Sequence, residues 1–173
     1  DKAEGTVFNN WEIGEYDDSL PKIYGLDFGY SNDPTALIQT SLQKDCLYLK
    51  ELLYLKQLSA EQIAEAMRNI GIDNYDLIVC DSSEPRMIKF LKDKGFNVKA
   101  AKKGADSVRG GIKKLENYRM IVTEDSKNLM IELNNYCWND KKSGIPIDDY
   151  NHLCDAMRYA GEKLINPKGS IIW

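Results

Sequence analysis

Four side chains in this 173-residue sequence have settings suited to chemistry rather than packing. Asp27 lies inside the apolar run of YGLDFGYSNDPTAL, between Leu26 and Phe28. A carboxylate there is costly unless it is paired or binds a cation. Gly29 beside it leaves room for an ion or a phosphate to approach the backbone. Asp81 follows the apolar run of DLIVCDSSEPR, where a strand ends and a helix is about to begin. Open α/β sheets place ligands at that edge, although Asp81 could equally serve as a helix N-cap, as could Ser82, Ser83 or Glu84. His152, the only histidine, stands three residues before Asp155 in DDYNHLCDAMRYAGEKL.

Helical geometry gives that last pair its meaning. At 100° per residue Leu153, Met157, Ala160 and Leu164 form one narrow core stripe, while His152, Asp155 and Tyr159 fall on a different one. The histidine and the carboxylate therefore share a face that is not the main core face. Two acids at strand ends and one on a late helix suit hard divalent cations, which prefer oxygen ligands. Paired Mg²⁺ or Mn²⁺ ions in such a site can activate water and stabilise the leaving oxygen of a phosphodiester.

Several elements must bring these residues together. KIYGLDF (22–28), PTALIQTSL (34–42) and CLYLKELLYL (46–55) read as consecutive strands with short connections, an antiparallel meander. The period then changes. Ser59 and Gln62 form a capping-box pattern, Ile63, Met67 and Ile70 recur at helical spacing, and Gly71 ends the helix. A strand over 75–80, a helix over 84–95 with Pro85 in its first turn, and the strand FNVKAA follow. SVRGGIKKLEN reads as a helix, RMIVT as a short strand, SKNLMIELNNY as a helix and WNDKKSGIPID as a hairpin. The last helix runs from Asn151 to Ile165. The expected fold class is α/β: a mixed sheet, a three-strand antiparallel meander plus parallel strands, with helices on both faces. Residues 21–166 form the expected domain, 1–20 the remnant of an interdomain linker and 167–173 a tail.

Bulk properties narrow the classes. The net charge of −4 hides an asymmetry: from Arg86 to Arg119 eleven Lys and Arg face only Asp93, Asp106 and Glu116. A basic middle in an acidic chain suits a polyanionic partner, and two solvated helix faces would look the same. Cys46, Cys80, Cys137 and Cys154 are far apart with no CxxC pair, which reads as reduced thiols in a cytosolic protein. No apolar run approaches the length of a membrane span, and the acidic N-terminal stretch is not a signal peptide.

GLDFGYSNDPTA (25–36), VCDSSEP (79–85) and NHLCDAMRYA (151–160) together resemble the C-terminal nuclease domain of the large terminase subunit of tailed bacteriophages, which has a ribonuclease H-like fold. KKGADSVRGGIKKL (102–115) is similar to the region after that family's fifth strand. The resemblance spans roughly residues 20–165, and NHxxDAxRY is its most specific motif. It implies a metal-dependent endonuclease that cuts concatemeric double-stranded viral DNA during packaging, by in-line attack that leaves a 3′-hydroxyl and a 5′-phosphate. Carried over by motif, Asp27, Asp81 and Asp155 are the catalytic, metal-binding acids, with Asp27 bridging two Mg²⁺ or Mn²⁺ ions. His152 ligates or positions the second metal. Lys102, Lys103 and Arg109 contact the DNA backbone. The implied partners are a packaging ATPase domain of the same chain, the small terminase subunit and the portal protein, in the host cytoplasm and with no membrane.

Other readings predict different behaviour. A portal-docking module would keep the acids and bind metal poorly in isolation. A junction resolvase or transposase core would prefer branched or hybrid substrates. The DFGYSNDPTA turn also resembles the phosphate loop of actin-like ATPases, which need a second subdomain this length does not accommodate. No GxxxxGK[ST] pattern occurs.

Overall fold

The computed structural model describes residues 5–102 and 107–168. The meander forms as expected: β2 (Ile23–Asp27), β3 (Pro34–Gln43) and β4 (Cys46–Lys56) pair antiparallel in sequence order. β5 (Leu77–Cys80) adds parallel to β2, and β6 (Asn97–Ala100) parallel to β5. On the other side β7 (Arg119–Val122) pairs parallel with β4. Asp27 therefore ends β2 next to the end of β5, after which Asp81 follows.

The sequence placed no element within residues 1–20, yet the structure does. β1 (Trp11–Ile13) pairs parallel with β7 and completes a seven-stranded sheet of order β1-β7-β4-β3-β2-β5-β6. Val7 and Phe8 just before it are buried, and the Phe8 ring stacks on Tyr136 at 6.3 Å. An acidic context hid the apolar anchors Val7 and Phe8, and a three-residue strand is too short to show a period.

Helices cover both faces. α1 (Ala60–Ile70) and α2 (Pro85–Asp93) pack Ile63, Met67, Ile88 and Leu91 over one. The Ser59–Gln62 capping box is closed and Gly71 ends α1 in the left-handed region. α3 (Ser107–Glu116), α4 (Lys127–Asn135) and α5 (His152–Ile165) cover the other. The expected hairpin at 138–148 is reduced to an isolated bridge, Trp138 with Pro146; just before it Cys137 bridges to Thr6 of the N-terminal segment. Pro146 has no N–H to extend a ladder.

α5 differs most from its helical-wheel reading. Leu153, Met157 and Ala160 are buried as expected, but so are Cys154, Ala156, Arg158, Tyr159 and Gly161. The helix lies across β2 and β3 between α3 and α4. Gly25 permits this: a Cβ there would lie 2.6 Å from the Ala156 carbonyl carbon and closer still to its oxygen. Asp27, two residues further along β2, faces the same helix.

Candidate metal centre

The two stripes read from the sequence of α5 thus both face protein, and the second one faces Asp27. His152, first residue of the helix, lies between two carboxylates: Nδ1 is 3.7 Å from Asp27 Oδ2, and Nε2 is 3.7 Å from Asp33 Oδ1. At that distance these are charge contacts rather than hydrogen bonds. Asp27 raises the affinity of the imidazole for its proton, burial opposes this, and Glu132 and Asp33 add to the rise. Two turns on, the Tyr159 hydroxyl stands 3.5 Å from Asp27 Oδ1.

Each acid has its own support. Burial pushes the Asp27 carboxyl up; His152 opposes the shift, and the charge of Asp81 reinforces it. Asp155 is raised to about 7, first by burial, with Arg158 holding it down and Asp27 pushing it up. Arg158, itself buried, places Nη2 3.3 Å from Asp155 Oδ1. Asp81 is no N-cap. The N-cap of α2 is Glu84, which makes no side-chain capping bond. Asp81 instead accepts hydrogen bonds from the Ser83 N–H at 3.0 Å and from the Ser83 hydroxyl.

Asp27, Asp81, His152 and Asp155 are thus electrostatically coupled around the end of β2. The donors fit a hard divalent cation: they are mostly carboxylate oxygens, and like charge adds to burial in resisting ionisation, from Asp81 at Asp27 and from Asp27 at Asp155. Among the described residues no three His, Cys, Asp or Glu side chains form a closed cage. The centre is a set of separate carboxylates beside a cleft.

That cleft, of about 510 Å³, is lined by Asp155, Asn151 and Asp148 together with Arg109, Gly144 and Ile147. Arg109, exposed on α3, therefore shares a cleft with Asp155. Lys102 is exposed just past β6, where the Ala101 N–H donates to the Cys80 carbonyl, and so stands beside the strand end that carries Asp81. Lys103 lies outside the described residues.

Two acids near the centre escaped the sequence reading. Asp33 precedes Pro34 and looks like an ordinary turn residue. Glu132 left a usable signal: with Leu129 and Leu133 it falls on the apolar stripe of α4, and all three are buried.

Comparison with known proteins gives this geometry a context. The model of the terminase RNAseH-like domain family matches residues 27–163. The large terminase subunit of Bacillus phage SPP1 is 33% identical over 182 residues, covering 99% of this chain and 42% of that protein. The chain spans less than half the length of the curated relatives it matches. A crystal structure of the SPP1 large terminase nuclease domain with bound Mn superimposes with a TM-score of 0.78 at 34% identity, covering 91% of this chain and 98% of that one. The P22 large terminase nuclease domain, at 20% identity, shares the fold with a TM-score of 0.75 over 97% of this chain and 95% of its own.

Proposed function

The chain belongs to the terminase RNAseH-like domain family, and on that premise we propose that it is a divalent-cation-dependent endonuclease. Its substrate is concatemeric double-stranded viral DNA, cut by phosphodiester hydrolysis during packaging. The observation that carries this reading is the placing of Asp27, Asp81, Asp155 and His152 around the end of β2, where Asp81 and His152 act on Asp27 and Asp27 acts on Asp155 through their charges. The relative with bound Mn supports it.

Asp27, Asp81 and Asp155, with His152 at their edge, are the proposed ligands of two Mg²⁺ or Mn²⁺ ions. When bound, such ions lower the pKa of an attacking water and stabilise the leaving oxygen. The rest falls to the chain's own residues. Asp27 occupies the centre, facing both His152 and Tyr159. Arg158 holds Asp155 by one carboxylate oxygen. Lys102, Lys103 and Arg109 hold the DNA backbone by charge, without reading sequence. The proposed setting is a nuclease domain over 21–166, joined by the segment 6–13 whose residues 6–8 are buried, working beside an ATPase domain of the same polypeptide. Its further partners are the small terminase subunit and the portal, in the host cytoplasm. No described helix is long and apolar enough to cross a membrane.

The test is incubation with supercoiled plasmid in Mn²⁺, Mg²⁺ or EDTA, alongside Asp81→Asn. Nicking and linearisation that vanish in EDTA and in the variant are expected. Activity that survives in the variant would remove Asp81 from the site. No cleavage with any cation, by folded protein, would defeat the nuclease reading for this domain.

A further inference from the structure

Glu132 takes no part in the cation reading above, yet it touches the helix on which that reading depends. Its side chain is almost fully buried, 1% exposed, between α4, α5 and β4. Oε1 accepts a hydrogen bond from the Cys154 N–H at 3.0 Å, and Oε2 accepts one from the Tyr54 hydroxyl at 3.2 Å.

Cys154 is the third residue of α5, and its N–H is one of those a helix start leaves without an internal partner. The N-cap side chain ordinarily serves such a group. Here the N-cap residue, Asn151, makes no capping bond, and its amide donates to Asp148 Oδ1 at 3.0 Å instead. Glu132 does from another helix what Asn151 does not do from its own. Its negative charge also lies at the favourable end of the helix dipole.

The same device operates one element earlier. Ser126, the N-cap residue of α4, makes no capping bond either. Glu51 of β4 accepts from the N–H of Leu129, the third residue of α4, at 2.9 Å, and from the Asn128 amide at 2.7 Å. A register shift between Leu37 and Ile38 leaves Leu52 of β4 without a partner. That extra residue turns Glu51 and Tyr54, three apart, onto the same face of the sheet. β4 thus supplies the cap of α4 through Glu51 and the support of Glu132 through Tyr54, whose ring also meets His152 edge-on at 6.4 Å.

We propose that Glu132 is a positioning residue: from α4 it caps the first turn of α5, and so fixes His152 and Asp155 in the metal centre. The proposal rests on the cation-dependent reading and deepens it. Each Glu132 oxygen already accepts a hydrogen bond from a protein donor, the Cys154 N–H or the Tyr54 hydroxyl, so its role is support rather than ligation.

The experiment compares wild type with Glu132→Ala, Glu132→Gln, Glu132→Leu and Leu91→Ala. The last removes a buried side chain of α2 on the opposite sheet face, a control for general loss of stability. Amide hydrogen exchange is followed over residues 152–156, and Mn²⁺ affinity is measured by calorimetry well below the melting temperature. In Glu132→Ala the Cys154 amide should exchange at least about tenfold faster, and Mn²⁺ binding should weaken about ten- to a hundredfold, the scale of losing a supporting partner of a metal ligand. Glu132→Gln, whose amide oxygen still accepts from Cys154, should keep both within about threefold. Leu91→Ala should lose stability and leave Mn²⁺ affinity unchanged, and any faster exchange it causes should be spread over the core rather than confined to residues 152–156. Glu132→Leu fills the same space and carries the test if the alanine variant does not fold.

Unchanged Cys154 exchange in the alanine and leucine variants would overturn the proposal. So would Glu132→Gln failing as badly as Glu132→Ala, since the capping bond would then not be the cause. If wild type binds no Mn²⁺, the cation reading falls, while the exchange arm still decides the capping role.

Discussion

Gly25 of β2 and Ala156 of α5 touch backbone to backbone. A Cβ on Gly25 would fall within bonding range of the Ala156 carbonyl, so the helix can lie this close to the strand only because position 25 has no side chain. Gly25→Ala must push α5 away from β2, and a backbone carbonyl cannot yield as a flexible side chain can. We expect a loss of about 3 kcal/mol, the upper part of the usual overpacking range. Mn²⁺ affinity should fall with it, because the displaced helix carries Asp155 and His152. Denaturant titration and calorimetry check both.

Asp155 sets a pH dependence. Its carboxyl ionises only at about 7, because it is buried and faces Asp27. Below that pH a bound proton must leave before the oxygen can take a cation. Mn²⁺ affinity should therefore rise with pH through about 7, with about a tenfold loss per unit below it from Asp155, and with His152, whose proton is also held more tightly than usual, adding to the dependence. Calorimetry at pH 6 in two buffers of different ionisation enthalpy should show protons released on binding. At pH 8 that difference should be smaller.

Asp81→Asn separates chemistry from folding. The side-chain oxygen of asparagine can still accept from the Ser83 N–H, so the melting temperature should stay close to wild type. Plasmid cleavage should fall at least about a hundredfold, the scale of removing one charge that acts in the transition state. A large loss of stability would instead make Asp81 a structural residue.

Lys102→Ala and Arg109→Ala should each weaken DNA binding evenly across sequences. Each should also reduce the slope of log affinity against log salt by about 1, as expected for one phosphate contact. Fluorescence anisotropy at several salt concentrations gives the slope. A variant that changed sequence preference would place that residue on a base edge.

Phe8→Ala tests whether the N-terminal segment belongs to the folded unit. Phe8 is 1% exposed and stacks on Tyr136, so truncation should cost about 3–5 kcal/mol. A linker residue would cost almost nothing.

The long, periodic elements were readable in advance. Ser59, Gln62 and Gly71 bound α1 where the residue types require, and the three-strand meander and the helix from His152 follow their hydrophobic patterns. β1 was not readable, because three residues show no period and the acidic flanks resemble a linker. The burial of Arg158 and Tyr159 was not readable either. A helical wheel separates faces but does not say what lies opposite the polar one, and here it is Asp27. Asp33 and Glu132 mark two limits. The first is indistinguishable from a turn residue before proline. The second was visible as an acid on an apolar stripe, but its partner Cys154 is 22 residues away and no local rule connects them.

The position of α5 in the chain also orders events during synthesis. Asp27 and Asp81 leave the ribosome well before Asp155, and the helix that seats the last of them against β2 is made after all seven strands. A nascent or truncated polypeptide lacking α5 has two acids at the ends of neighbouring strands, and lacks the helix that packs over β2 and β3. Domains made N-terminus first expose the faces such a helix covers until the last element docks. A chain that stops before α5 therefore carries Asp27 and Asp81 without the helix that brings His152 and Asp155 to them.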